Sequence, residues 1–400
     1  MRLLSLPKPG PAYRFRVLIM LTVLSGFCQG LMLPLLTVML EKDGVSSSMN
    51  GLNAAAMYVG TFATMFFIEI PFRRFGYKPL IICGMLLMAI SVMLFPIWYN
   101  LGFWVLLRIV VGIGDSSLHF CTQLWIIASS PKQKRGRNIS LYGMSYSIGF
   151  SIGPIGLNLL KLSHWLPFVS IFIFLSLGLL VLSRLPNEYG EREAHSLEKS
   201  VGKRYSKAIM LGWFALLPAL LYGYMESTMN SNFPIYGIKL GITDTWLSFL
   251  LPAIGLGSLI LQFPLGALSD RIGRRSVLTG AGMLGGIAFL AIPFAGKQEW
   301  IILILLAIAG GLVGSFFSLG LAYLADLLPR NLLACSNVLS SILFSVGSLI
   351  GPNAGGFGMQ YLSLGSMFYI LGGCFLVFSL IGLLFRVRPK ESTDKLEIAT

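Results

Sequence analysis

The stretch Gly266-Ala267-Leu268-Ser269-Asp270-Arg271-Ile272-Gly273-Arg274-Arg275 sets four charges within six residues, between two long apolar runs. Hydrocarbon cannot hold such a stretch. It therefore belongs at a membrane surface, joining two helices that cross the bilayer.

The composition agrees. Of 400 residues, 55% are hydrophobic and 12% are charged, against about 25% charged in soluble domains. The class is an all-α polytopic membrane protein, and 45 glycines suit close helix packing in lipid. The net charge of +14 does not indicate a nucleic-acid partner, because the basic residues lie in short loops rather than along one soluble face. Cys28, Cys83, Cys121, Cys335 and Cys374 all fall in apolar runs without paired spacing and read as small core residues. The first apolar run, 17–40, is too long for a cleavable leader and lacks a small-residue cleavage site.

A helix needs about 20 apolar residues to cross the bilayer. Twelve segments qualify: 17–40, 50–70, 79–98, 102–128, 139–160 and 165–185, then 208–236, 245–269, 277–295, 300–327, 334–360 and 366–385. With both termini cytoplasmic, all but five of the 30 basic residues fall on the cytoplasmic face. Lys42, Lys161, Lys239 and Lys297 lie opposite, and Arg108 lies within segment four. That bias follows the positive-inside rule for a protein of the cell membrane. The expected organisation is a six-helix bundle over 1–185, a cytoplasmic linker over 186–207 with a surface amphipathic helix as one possible form, a second bundle over 208–386, and a cytoplasmic tail over 387–400.

The halves repeat each other. Gly149-x-x-x-Gly153-Pro154 in segment five is matched by Gly347 and Gly351-Pro352 in segment eleven, and Pro34 by Pro234. Arg73-Arg74-Phe75-Gly76-Tyr77-Lys78 stands where the second half has Asp270 to Arg275. Internal duplication around a polar loop is the mark of a transporter.

On these motifs the chain resembles a major facilitator superfamily transporter over essentially its whole length. The stretch 266–275 is similar to that superfamily's motif between helices 8 and 9. Arg108-x-x-x-Gly112-x-Gly114 resembles the helix 4 motif of the bacterial drug/proton antiporter branch, and Gly149 to Pro154 resembles its helix 5 motif. Three positions depart from the pattern: Arg73 stands in place of an acid, Glu69 in place of a glycine, and Leu157 in place of a glycine. The resemblance implies two pseudo-symmetric bundles, alternating access, a small-molecule substrate and no enzymatic activity.

Segment four carries Arg108, Gly112, Asp115, His119 and Gln123 within an arc of about 80° on one helix face. An ionised group at the bilayer centre costs about 2.5–3.5 kcal/mol or more, so this face is expected to look into the protein. Two readings stay open: a proton or substrate relay through Arg108, Asp115 and His119, or a buried hydrogen-bonded cluster that fixes helices. Segment seven carries Tyr222, Glu226 and Asn230 on one face, with Glu226 about 15 Å from the outer end, near the midplane. Glu226 is a candidate proton carrier or counter-ion for a cationic substrate; the plainer reading is a protonated acid bonded to a neighbouring helix. Gln29 and Gln123 join Tyr222 and Asn230 as candidate cavity residues. Asp115 and His119 are too few ligands for a metal.

At the inner surface, Glu69 is expected to pair with Arg73, and Asp326 with Arg271 or Arg330. Gly266, Asp270, Arg271, Gly273, Arg274 and Arg275, with Arg73, Arg74 and Asp326, form the expected cytoplasmic gate. There, when the inside is closed, Asp270 would meet the start of helix 5 near Asn138, steadied by Arg271. There is no P-loop and no partnered nucleophile motif, so no cofactor is implied and a proton gradient is the expected energy source. The expected function is proton-coupled efflux of a small, fairly apolar molecule by a monomer. The alternatives are transport of a polar metabolite such as a sugar or organic anion, with Arg108 binding substrate, or a non-transporting sensor that keeps the fold.

Overall fold

The computed structural model describes residues 10–131, 134–189, 201–329 and 332–384. The chain forms α1 (Pro11–Lys42), α2 (Ser47–Phe67), α3 (Glu69–Phe75), α4 (Tyr77–Leu94), α5 (Leu101–Ser129), α6 (Arg135–Ile152) and α7 (Leu166–Ser183). The second half holds α8 (Val201–Ser231), α9 (Phe233–Leu240), α10 (Asp244–Ile272), α11 (Arg274–Ala291), α12 (Glu299–Val313), α13 (Phe316–Leu327), α14 (Leu333–Tyr361) and α15 (Ser366–Leu384). No strand occurs among the described residues.

Among the described residues, ten helical stretches are long and apolar enough to cross a membrane, and an eleventh is α2 with α3, bent by 60°. The bend has a cause: Pro71 has no N–H to give Phe67 its helical hydrogen bond. The remaining expected segment, 139–160, is α6 followed by a 3-10 stretch, Gly153–Lys161. It packs in the same bundle but fails the apolar test, and this is where the twelve-segment count departs from hydropathy. One stripe of it, Leu141, Met144, Ile148, Ile152 and Ile155, is apolar and exposed; serines, tyrosines and glycines between these lower its hydropathy, and Ser145 and Ser151 are buried in the protein.

The linker expectation needs a change of boundary. Residues 201–207 already belong to α8, while 190–200, and with them most of the proposed surface helix, lie outside the described residues. So do the expected tail at 387–400 and Arg330.

Glycine pairs carry the duplication into packing. A methyl group on Gly26 or Gly30 of α1 would lie 2.4 and 2.1 Å from the carbonyl oxygens of Tyr146 and Phe150 in α6, and one on Gly149 would lie 2.1 Å from that of Val23. In the second half, Gly223 meets Phe344 O at 2.1 Å and Gly347 meets Leu220 O at 2.1 Å, so α8 and α14 repeat the contact of α1 and α6. Backbones this close require glycine, as in small-residue membrane interfaces. Gly153 and Gly351 extend the same seams, and this explains the paired Gly-Pro motifs.

The halves are latched at one face. Lys42 pairs with Asp244, Lys239 reaches Glu41 at 3.6 Å and Ser47 at 2.6 Å, Lys161 bonds Thr245, and Asn158 donates to Ser248 at 2.7 Å. The opposite, basic face carries Arg73, Arg74, Lys78 and the 266–275 stretch. That stretch is no loop: α10 runs on through Pro264, Gly266 and Asp270 to Ile272, and only Gly273, at φ 93°, separates it from α11.

Candidate functional site

A cleft with a volume of about 70 Å³ lies between the halves. Helix α6 contributes Tyr146, Ser147, Phe150 and Ser151, and Pro154 follows it. Helix α8 contributes Tyr222, Met225, Glu226, Met229 and Asn230, and α10 closes the wall with Leu251, Ile254, Gly255 and Ser258. Glu226 is the one ionisable carboxylate in this lining. It is half-buried, and its side chain has no hydrogen-bond or ion-pair partner among the described residues; Asn230 Nδ2 donates to its backbone carbonyl at 2.7 Å. The Tyr222 ring is fixed against Phe344 and Phe317, with centroids 6.0 and 6.3 Å away. The expected face Tyr222, Glu226 and Asn230 is thus brought together on one wall.

Beside it, the first half holds a connected polar chain. Ser25 Oγ of α1 donates to Asp115 Oδ1 at 3.1 Å and lies 3.2 Å from His119 Nε2. His119 Nε2 is 3.4 Å from Asp115 Oδ1, and His119 Nδ1 is 2.6 Å from the Tyr142 hydroxyl of α6. The Tyr146 ring meets the His119 ring edge-on at 4.8 Å. Tyr146 therefore touches the Asp115–His119 network and lines the cleft that holds Glu226. Ser25, Tyr142 and Tyr146 were not among the expected site residues. A signal existed for two of them: Tyr142, Tyr146 and Phe150 recur every fourth residue, one face of a helix.

Arg108 differs from Asp115. It is fully buried, and Nε, Nη1 and Nη2 have no hydrogen-bond partner among the described residues. Gln29 is buried with both amide atoms likewise unpartnered. Neither lines the cleft. Tyr58 of α2 lies within electrostatic reach of Arg108, Asp115 and Glu226. Gln123, expected in the cavity, is exposed and does not line the cleft; it sits one turn beyond His119, while its neighbours Thr122 and Trp125 stay buried.

At the basic face Glu69 and Arg73 form the expected ion pair, with Arg73 Nε 3.0 Å from Glu69 Oε1. Arg74 lies over the Phe75 ring at 5.3 Å. Asp326 pairs with Arg274 at 3.4 Å, not with Arg271. Arg274 also holds Asp270 one turn back at 2.5 Å and bonds Ser269, so Arg274, not the exposed Arg271, steadies Asp270. The helix repeat explains the correction: position 274 faces 270 across one turn. The Asp270 side chain is 63% exposed and does not meet α6; Asn138 donates instead to Ser130 at 2.8 Å. Arg275 bonds the carbonyls of Gly382 and Leu383 at 2.7 and 2.8 Å, at the end of α15.

Membrane-length helices in two like halves, latched at one face around an acid-bearing cleft, define a membrane transporter. The chain belongs to the Major Facilitator Superfamily, whose model matches residues 18–255 and 208–399. It is 40% identical to the MFS-type transporter YfkF of Bacillus subtilis over 360 residues, covering 90% of this chain and 92% of that one. It is 20% identical to the MFS-type transporter YcaD of Salmonella enteritidis over 337 residues, 83% of this chain and 85% of that one. Among solved structures it is similar in fold to the nucleoside transporter NupG, with a TM-score of 0.73, 12% identity, and 92% and 98% of the two chains covered. A bacterial homologue of the human lysosomal transporter Spinster, solved inward-facing and unoccupied, gives a TM-score of 0.68 at 15% identity, covering 94% of this chain and 95% of that one. The protein is a multi-pass membrane transporter of the MFS type.

Proposed function

We propose that this transporter exports a small, fairly apolar or monocationic molecule against an inward flow of protons, by rocking its two halves about the cleft. The observation that carries the reading is Glu226: a carboxylate with no partner among the described residues, walled by Tyr146, Phe150, Tyr222, Met225 and Met229. An unpaired acid in such a site is readily protonated, and aromatic faces attract a cation that displaces the proton. The chain Asp115–Ser25–His119–Tyr142 beside it offers a second protonation site, with Tyr146 between the two. The latch stays closed while the basic face is unlinked at Asp270, which corresponds to an inward-facing state if the basic face is cytoplasmic.

The test is ΔpH-driven uptake of dyes and drugs in proteoliposomes, with and without a protonophore. Glu226→Gln and Asp115→Asn are each expected to abolish proton-driven transport, a loss of at least about tenfold in rate, with normal expression. Full ΔpH-driven activity in both variants would overturn the reading.

One observation favours a second reading. Arg108 has no hydrogen-bond partner for any guanidinium nitrogen among the described residues, and an unpaired buried charge calls for a counter-ion. A transporter of a polar metabolite with an anionic group would supply one. Competition by organic anions that vanishes in Arg108→Ala would select this reading over the first.

A further inference from the structure

The first-half junction lacks the acid that its second-half twin carries: Arg73 stands where Asp270 stands. An acid is nevertheless held at that junction, and it comes from the chain that follows α7. Glu188 Oε1 pairs with Arg14 at the start of α1, and Glu188 Oε2 accepts from Trp125 Nε1 of α5 at 2.8 Å. The Glu188 carbonyl accepts from Tyr77 N at 3.1 Å. Asn187 Oδ1 accepts from Lys78 N at 3.1 Å, and Asn187 Nδ2 donates to Phe75 O at 2.9 Å. The Tyr77 ring lies flat against Trp125 at 5.3 Å, under this strap. Gly76, at φ 81°, leaves the room it needs: a methyl group there would lie 2.5 Å from Glu188 O.

We propose that Asn187–Glu188 is a strap that supplies, from the connection between the halves, the acid missing from the first-half junction, and that Glu188 is a positioning residue for transport. It ties the basic-face ends of α1, α4 and α5 into one body. With it in place, the first-half ends hold together while the second half swings, and Asp270 is the exposed acid left to engage across the gate. The strap serves the family's transport activity whatever is carried and whatever drives it.

The built-in reporter is Cys121. It lies one turn before Trp125 on α5 and is fully buried. The full-length protein in proteoliposomes is treated with a membrane-permeant maleimide, and modification of Cys121 is followed by mass spectrometry. Glu188→Ala is expected to raise its rate at least about tenfold, Arg14→Ala less, and Asp270→Ala at the twin junction not at all. Glu188→Asp, which keeps the ion pair, is expected to restore protection. In the same variants Vmax of transport is expected to fall in Glu188→Ala with KM unchanged, as for a residue that does not touch cargo. If Glu188→Ala does not fold, Glu188→Gln and Arg14→Ala give the same reading. Cys121 rates within about twofold of the parent in all of these variants, or a defect in Glu188→Ala that Glu188→Asp does not rescue, would overturn the proposal.

Discussion

Lys78 and Arg275 occupy matching places in the two halves and do the same work. Lys78 Nζ bonds the carbonyls of Ser183 and Leu185 after α7 at 2.7 and 2.6 Å, as Arg275 does those of Gly382 and Leu383 at the end of α15. Each sets a cation on the negative end of the last helix of its half. Arg73 and Asp270 also occupy matching places and do opposite work. The second half holds its junction with ionic contacts inside itself, Asp270–Arg274–Asp326. The first half uses a stacked Tyr77–Trp125 pair and a strap borrowed from the chain beyond it. Duplicated geometry has outlasted duplicated charge: the glycine breaks and helix-end clamps persist, while the ionic partners have changed.

Five substitutions, at two matched pairs of positions and at Asp270, sharpen the contrast. The largest effect is expected at the glycines. Gly76 and Gly273 both have positive φ, 81° and 93°, and a side chain in such backbone costs roughly 1–3 kcal/mol. A methyl group at Gly273 meets open space, whereas one at Gly76 collides with Glu188 O. Thermal unfolding in detergent is expected to show Gly76→Ala losing about 4 kcal/mol and Gly273→Ala about 2 kcal/mol. Equal losses would mean that the strap does not bear on Gly76.

Next come the clamps. Lys78→Ala and Arg275→Ala are each expected to cost about 1 kcal/mol by the same assay, because each frees two helix-end carbonyls and a favourable dipole contact. A large difference between them would break the equivalence of the two junctions.

The smallest change in stability, under about 0.5 kcal/mol, is expected for Asp270→Asn, since the side chain is mostly exposed and its partner is one turn away. Its effect is expected on conformation. Cysteine accessibility from the two sides is expected to shift toward the state open at the basic face. An unchanged balance would remove Asp270 from the gate.

Most of the helical layout was legible from hydropathy and charge. Eleven of the expected segments end within a few residues of helices or of a bent pair, because the bilayer fixes both length and polarity. Segment five was the weak one for a physical reason: α6 turns tyrosines and serines toward the cleft and the network, so its average polarity hides its place in the bundle. Glu226, Tyr222 and Asn230 were found because spacing along one helix is readable. Ser25, Tyr142 and Tyr146 were missed because the partners of Asp115 and His119 come from α1 and α6, and the rotation of one helix against another is set by the glycine seams. Glu188 was invisible for a similar reason, since its partners lie at positions 14, 77 and 125. Arg274 was not named as a partner of Asp326, because three arginines within five residues differ only in the direction they leave the helix; the other expected partner, Arg330, lies outside the described residues.

The latch repays a closer look. Lysines from each half reach acids of the other, Lys42 to Asp244 and Lys239 to Glu41, beside hydrogen bonds that water can replace. Pairs at a wetted face hold by about 0–1 kcal/mol each and weaken as ions crowd in. The door on that side is therefore fastened lightly enough for a single occupant of the cleft to undo. The opening rate there is expected to climb with ionic strength on that side alone, making the surrounding medium a partner in the timing of each turnover.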